Sequence, residues 1–279
     1  MFEKMKFRYI VGITLTVYLS LIYATTVFPM SDDLEWILVS VAIYGIVPAW
    51  FFTYQFRQQG VTLSKFAFAQ GIERWIGAVI GLIVGSIAFS LGFLWLQLNV
   101  FESIAPGWAA YLLEPVPLPA SPLYLAITVA IMILLEPIAE EFIFRGVLLK
   151  RMALKTSRWG GVFISSLLFG LMHDDILGAF LFGIIAALLY LKTQNLLAPI
   201  ILHIAYNAFY TLTMAYAPTW PEALRVQEMS EIAEKAVPNL IVLAVGTVLL
   251  AGFAAWLIRE NVWKKNRKVV FLHKKGFRN

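Results

Sequence analysis

The chain has 279 residues, 60% of them hydrophobic and 14% charged, with a net charge of +5 and no cysteine. Soluble domains carry about 25% charged residues, so a water-soluble globule is excluded, as are disulfides, thiol nucleophiles and cysteine-held metals. With a mean hydropathy of +0.78 and no polar linker between apolar runs, the sequence describes one all-α domain, a polytopic membrane helix bundle.

A crossing takes about 20 apolar residues, and about eight such runs follow in order. The first, 7–28, comes after "MFEKMKFR"; it is long enough to span and lacks a small-residue cleavage site, so it reads as an anchor. Next come 35–56 and 74–98, the latter opening on Gly77, Gly81 and Gly85, a small-residue stripe suited to close helix packing. A Pro-rich connection, "EPVPLPASP" (114–122), leads to 122–144. The runs 159–173 and 176–191 are short and separated only by "HDD"; 196–217 and 237–258 complete the set. The basic tail 259–279, which contains His273, directly follows the last run. It suits an anionic inner leaflet better than nucleic acid, so no nucleic-acid partner is expected.

Charge orients the spans. With a cytoplasmic N-terminus, all of the 22 Lys and Arg except Arg225 and Lys235 fall in inner segments, while outer segments carry "SDDLE" and a run of glutamates. This asymmetry places both termini in the cytoplasm.

Few strongly polar side chains remain inside the apolar runs: Glu136, Glu140, Glu141 and Arg145, then His173, then His203 with Asn207. Such groups face a bundle interior or a wet cavity. Glu141 and Arg145 are four apart and can pair on one helical face; Glu140 is turned about 100° away. His203 and Asn207 share a spacing of four, as do Phe169 and His173. One carboxylate, two imidazoles and an amide can therefore converge. The inventory suits water activated by a Glu base beside a His, with donors for an oxyanion. It equally suits Zn2+ held by Glu140, His173 and His203. The bland reading is an ion pair and two interhelical hydrogen bonds. Counted along straight helices, His173 lies about 10 Å further out than the other groups. Strong tilt, a cytoplasmic start to the fifth helix or a kink at Pro137 would close that gap.

Glu140–Glu141–Phe142–Ile143–Phe144–Arg145 reads EExxxR, Phe169 to His173 reads FxxxH, and His203 to Asn207 reads HxxxN. Three such motifs in this order resemble those of the CPBP family, also called the CAAX protease or Abi family, of intramembrane proteases. The likeness covers about 122–210, which would be the protease core. It implies that Glu140 activates water with help from His173, that His203 and Asn207 form an oxyanion hole, and that Glu141 and Arg145 support the site. Zinc dependence is disputed among members. Eukaryotic ones cleave prenylated C-terminal tripeptides, and others act in bacteriocin immunity or surface-polymer regulation.

The expectation is thus an integral-membrane endopeptidase, in a prokaryotic cell membrane, with its site toward the cytoplasm. Its partners would be membrane lipid and a peptide or lipidated protein substrate. The rivals are a non-catalytic immunity or scaffold protein and a proton-coupled transporter. No Ser-type nucleophile faces a histidine; Ser165 and Ser166 suit helix packing.

Overall fold

The computed structural model describes residues 2, 5–60 and 71–259. The basic tail, apart from Arg259, lies outside the described residues, as does His273. The described residues form helices and connecting turns, without a strand. In chain order the helices are α1 (Phe7–Val27), α2 (Asp32–Gln58), α3 (Ile72–Ile104), the short α4 (Pro106–Leu113) and the long α5 (Pro122–Lys155). They continue with α6 (Arg158–Gly170), α7 (Ile176–Thr193), α8 (Leu197–Tyr216) and α9 (Ala236–Ile258). All but α4 and α6 are long and apolar enough to cross a membrane, which makes this an integral membrane protein.

The run expected to span over 159–173 is shorter than a crossing. Helix α6 has 13 residues, about 20 Å at 1.5 Å per residue, against a hydrocarbon core of about 30 Å. Gly170 marks its end, and the turn 171–175 sends the chain straight back into α7. The pair α6–α7 is therefore a hairpin whose turn leaves Leu171 and Met172 exposed and holds His173 beside Glu140. Its two helices pack tightly: Gly170 and Gly183 each stand where a Cβ would meet the facing helix, Gly170 against Phe180 and Gly183 against Ser166.

Both described ends of the chain meet at one end of the bundle. Arg151 donates to the Met5 carbonyl at 2.7 Å, and the Lys150 ammonium lies 5.0 Å from the centroid of the Tyr190 ring. Lys192 donates to the Trp256 carbonyl at 3.2 Å, and Trp75 and Trp256 pack 5.7 Å apart. This is the basic end. At the opposite end Trp95, Leu98 and Ala109 pack with Val226 and Ile232.

Prolines explain two departures from α-geometry. Pro48 and Pro137 each follow a π-helical stretch, Val41–Ile46 in α2 and Ile131–Leu135 in α5. Proline has no N–H to donate and its ring collides with the preceding turn; widening that turn relieves the collision. A third π stretch, Phe142–Leu149, carries Arg145. The glycine stripe on α3 does only part of what its spacing suggested. Gly81 admits the Phe253 ring and Gly85 admits Leu249 and Leu250 of α9, whereas nothing lies within 4 Å of a Cβ at Gly77.

Candidate functional site

Helix α5 delivers the first polar group. Glu140 and Glu141 are both buried, and the helix sends them to different neighbours. Glu141 Oε1 pairs with Arg145 at 2.9 Å and also accepts from His203 Nδ1 at 3.0 Å. The ion pair follows from spacing; the bond to His203, from α8, does not. Arg145 is further held against the face of Phe169, 4.3 Å from the ring centroid.

Glu140 Oε2 stands 3.8 Å from His173 Nε2 and 3.8 Å from His203 Nε2. The expected depth gap is closed by the hairpin. Helix α5 ends at Lys155 and α6 begins at Arg158, and Glu140 and His173 each lie fifteen residues from those positions in sequence. His173 is not on the helix, as its spacing from Phe169 suggested, but in the turn after it. Its Nδ1 faces the Phe169 carbonyl at 2.8 Å, and its ring lies 4.3 Å from that of Phe169.

These partners assign the protons. A carbonyl only accepts, so His173 Nδ1 is a donor; Glu141 Oε1, paired with Arg145, likewise makes His203 Nδ1 a donor. Each ring then turns its Nε2 toward Glu140, as an acceptor when the imidazole is neutral and as a donor when it is protonated. The three side chains converge on one spot. A separation of 3.8 Å is too long for a hydrogen bond but spans a water bonded to both ends. For zinc, ligand bonds of about 2.0–2.1 Å put tetrahedral donors roughly 3.3–3.5 Å apart. Among the described residues no group of three His, Asp or Glu is close enough to hold a metal ion. The two 3.8 Å separations are a few tenths of an ångström wider than that donor spacing.

Access comes from one side. The His173 side chain is 31% exposed, against 11% for Glu140 and 4% for His203. Behind them Phe169 and Phe182 close the site, with rings 5.7 and 5.0 Å from that of His203.

Asn207 has a different target. Its Nδ2 donates to the Met132 carbonyl at 2.9 Å. The π turn explains why that carbonyl is available. Glu136 N–H bonds to Ile131, five residues back; the same pattern would pair position 137 with Met132, and Pro137 has no N–H. Asn207 fills the vacancy and ties α8 to α5. Proline in the middle of an apolar run was the signal for this bond.

Residues 122–209 match the family model described as Type II CAAX prenyl endopeptidase Rce1-like. That segment carries all three motifs, and it bears out their resemblance to the CPBP family. The chain is also 34% identical over 79 residues to "Putative membrane peptidase YdiL" of Bacillus subtilis (strain 168). The aligned stretch spans 27% of this chain and about a third, 32%, of that relative. No solved structure matches the chain.

Proposed function

We propose, with an Rce1-like segment at 122–209 as the premise, that the protein is an intramembrane endopeptidase. One observation supports this reading above others: Glu140 Oε2 lies equally, at 3.8 Å, from the Nε2 atoms of two histidines on separate elements. In this reading a water sits between Glu140 and His173. Glu140 takes its proton as the oxygen bonds to the scissile carbonyl carbon, and His173 orients it. His203, fixed by Glu141 and Arg145, donates from a protonated Nε2 to the developing oxyanion. Asn207 gives one N–H to Met132 and keeps its second for that oxygen. When the C–N bond breaks, Glu140 returns the proton to the leaving amine. No step needs a metal.

The substrate would be a membrane-associated peptide, prenylated or not, that enters from the bilayer. The basic end would face the cytoplasm. The test is cleavage of membrane-anchored peptides, with and without a prenyl group, by the purified protein in lipid. Glu140→Gln is expected to lower kcat by about 100- to 10,000-fold, and a chelator to leave the wild-type rate unchanged. Undiminished cleavage by Glu140→Gln would sink the reading. Loss of activity to chelator, restored by zinc, would replace the metal-free steps with metal chemistry. A cellular role that survives Glu140→Gln would point instead to an immunity or scaffold function.

A further inference from the structure

The turn that carries His173 is anchored from outside the matched segment. Two aspartates follow His173, and each has a partner on the helices before residue 122. Asp175 Oδ1 accepts from Gln97 Nε2 on α3 at 3.1 Å, and Asp174 Oδ1 accepts from the Tyr111 hydroxyl on α4 at 2.7 Å. Asp175 also caps α7 by accepting from Gly178 N–H at 2.9 Å, which it can do without Gln97.

Gln97 has no other evident work. It is 4% exposed between the buried Trp95 and Leu98, and its Oε1 has no hydrogen-bond partner. A buried amide with half its capacity unmet is unfavourable relative to an apolar side chain of similar size. What it returns is one directed bond to the turn. The contacts of His173 with Phe169 fix its ring relative to the end of α6. They leave the distance between the turn and α5 unset. Tyr111 holds Asp174, and the carboxylate, by accepting its hydrogen bond, raises the phenol above its ordinary value and keeps it a donor.

We infer that Gln97 and Tyr111 are positioning residues for His173: by clamping Asp175 and Asp174 they set the separation of the imidazole from Glu140. The inference rests on the reading in which His173 and Glu140 share the attacking water. A 1 Å misplacement of such a group can cost about 100-fold in rate, so a loosened turn should lower kcat without weakening substrate binding.

Two measurements test it on the full chain in lipid. In peptide cleavage, Gln97→Leu lowers kcat about tenfold with KM within about twofold. Tyr111→Phe, losing an exposed bond that water can replace, lowers it about two- to threefold. Asp175→Asn keeps the acceptor and stays within about twofold of wild type. The second measurement is nitrogen NMR of the three histidines, assigned by substituting them one at a time. In Gln97→Leu the His173 signals move and those of His203 stay. Either half without the other overturns the inference, and so does joint movement of both histidines, which would mark general loosening. If the wild-type protein cleaves no peptide, the peptidase reading fails by itself, and the NMR result alone decides the clamp.

Discussion

Arg145→Met tests whether the support of the site is a desolvated charge pair. The guanidinium is 1% exposed and lies 2.9 Å from a carboxylate that is 0% exposed. Met keeps most of the length and all of the apolar character. After the change Glu141 retains one partner, His203 Nδ1 at 3.0 Å, and its Oε2 has none. Removing one member of a buried pair costs about 3–5 kcal/mol, mainly from the charge left behind. The contact with Phe169 at 4.3 Å is worth about 0.5–2 kcal/mol, within the spread of that figure. Glu141→Gln with Arg145→Met removes both charges, and the Gln carbonyl still accepts from His203. The double variant should therefore lose only about 1–2 kcal/mol, so the two changes are coupled by roughly 2 kcal/mol or more. Reversible unfolding in mixed micelles, followed by helical circular dichroism on all four proteins of the cycle, measures this. A loss below about 1 kcal/mol for Arg145→Met, or singles that simply add, would refute the reasoning.

Two other predictions follow from the packing and from the loop before α9. A Cβ at Gly92 would lie 2.6 Å from the Asn239 carbonyl and 2.7 Å from Leu243 N, both backbone atoms of α9, whereas Gly77 has nothing within 4 Å. Gly92→Ala should therefore destabilise by about 1–3 kcal/mol, while Gly77→Ala is neutral or stabilises by up to about 1 kcal/mol; equal effects in the same unfolding assay would contradict the helix contact. In the loop before α9, Glu231 Oε2 accepts from Gln227 N–H at 2.7 Å and Glu228 N–H at 3.3 Å, and Lys235 pairs with Oε1 at 3.0 Å. The Gln227 bond most of all, then Lys235, holds this carboxyl below its ordinary value. A depressed native pKa stabilises the loop fully above about pH 4.3, the unfolded value, and that support is lost as pH falls through the native value. Hydrogen-exchange protection of the Gln227 and Glu228 amides should hold above about pH 5 and drop below about pH 4; a drop already near neutrality would count against it.

Much of the site is local and was legible from spacing. Glu141 and Arg145 pair because they are four apart on one helix, and Glu140 is turned away for the same reason. The bundle class follows from hydropathy, and the gathering of basic residues at one end agrees with the charge asymmetry. The π turns had a local cause as well, in Pro48 and Pro137. What a straight-helix count missed was their consequence, a freed carbonyl that redirects Asn207.

The sequence by itself determined which groups are available: the carboxylates of Glu136 and Glu140, two imidazoles, an amide and an ion pair, all set in apolar runs where they need partners. Only the tertiary structure decided who those partners are. Whether His203 meets Glu141 depends on how α8 packs against α5, and whether His173 comes to the level of Glu140 depends on a 13-residue helix and the turn after it, which Gln97 and Tyr111 reach from α3 and α4. Helical periodicity governs contacts within about a turn. Distances of 3 to 4 Å between helices depend on how deep each one sits, and residue spacing along a single helix carries no record of that.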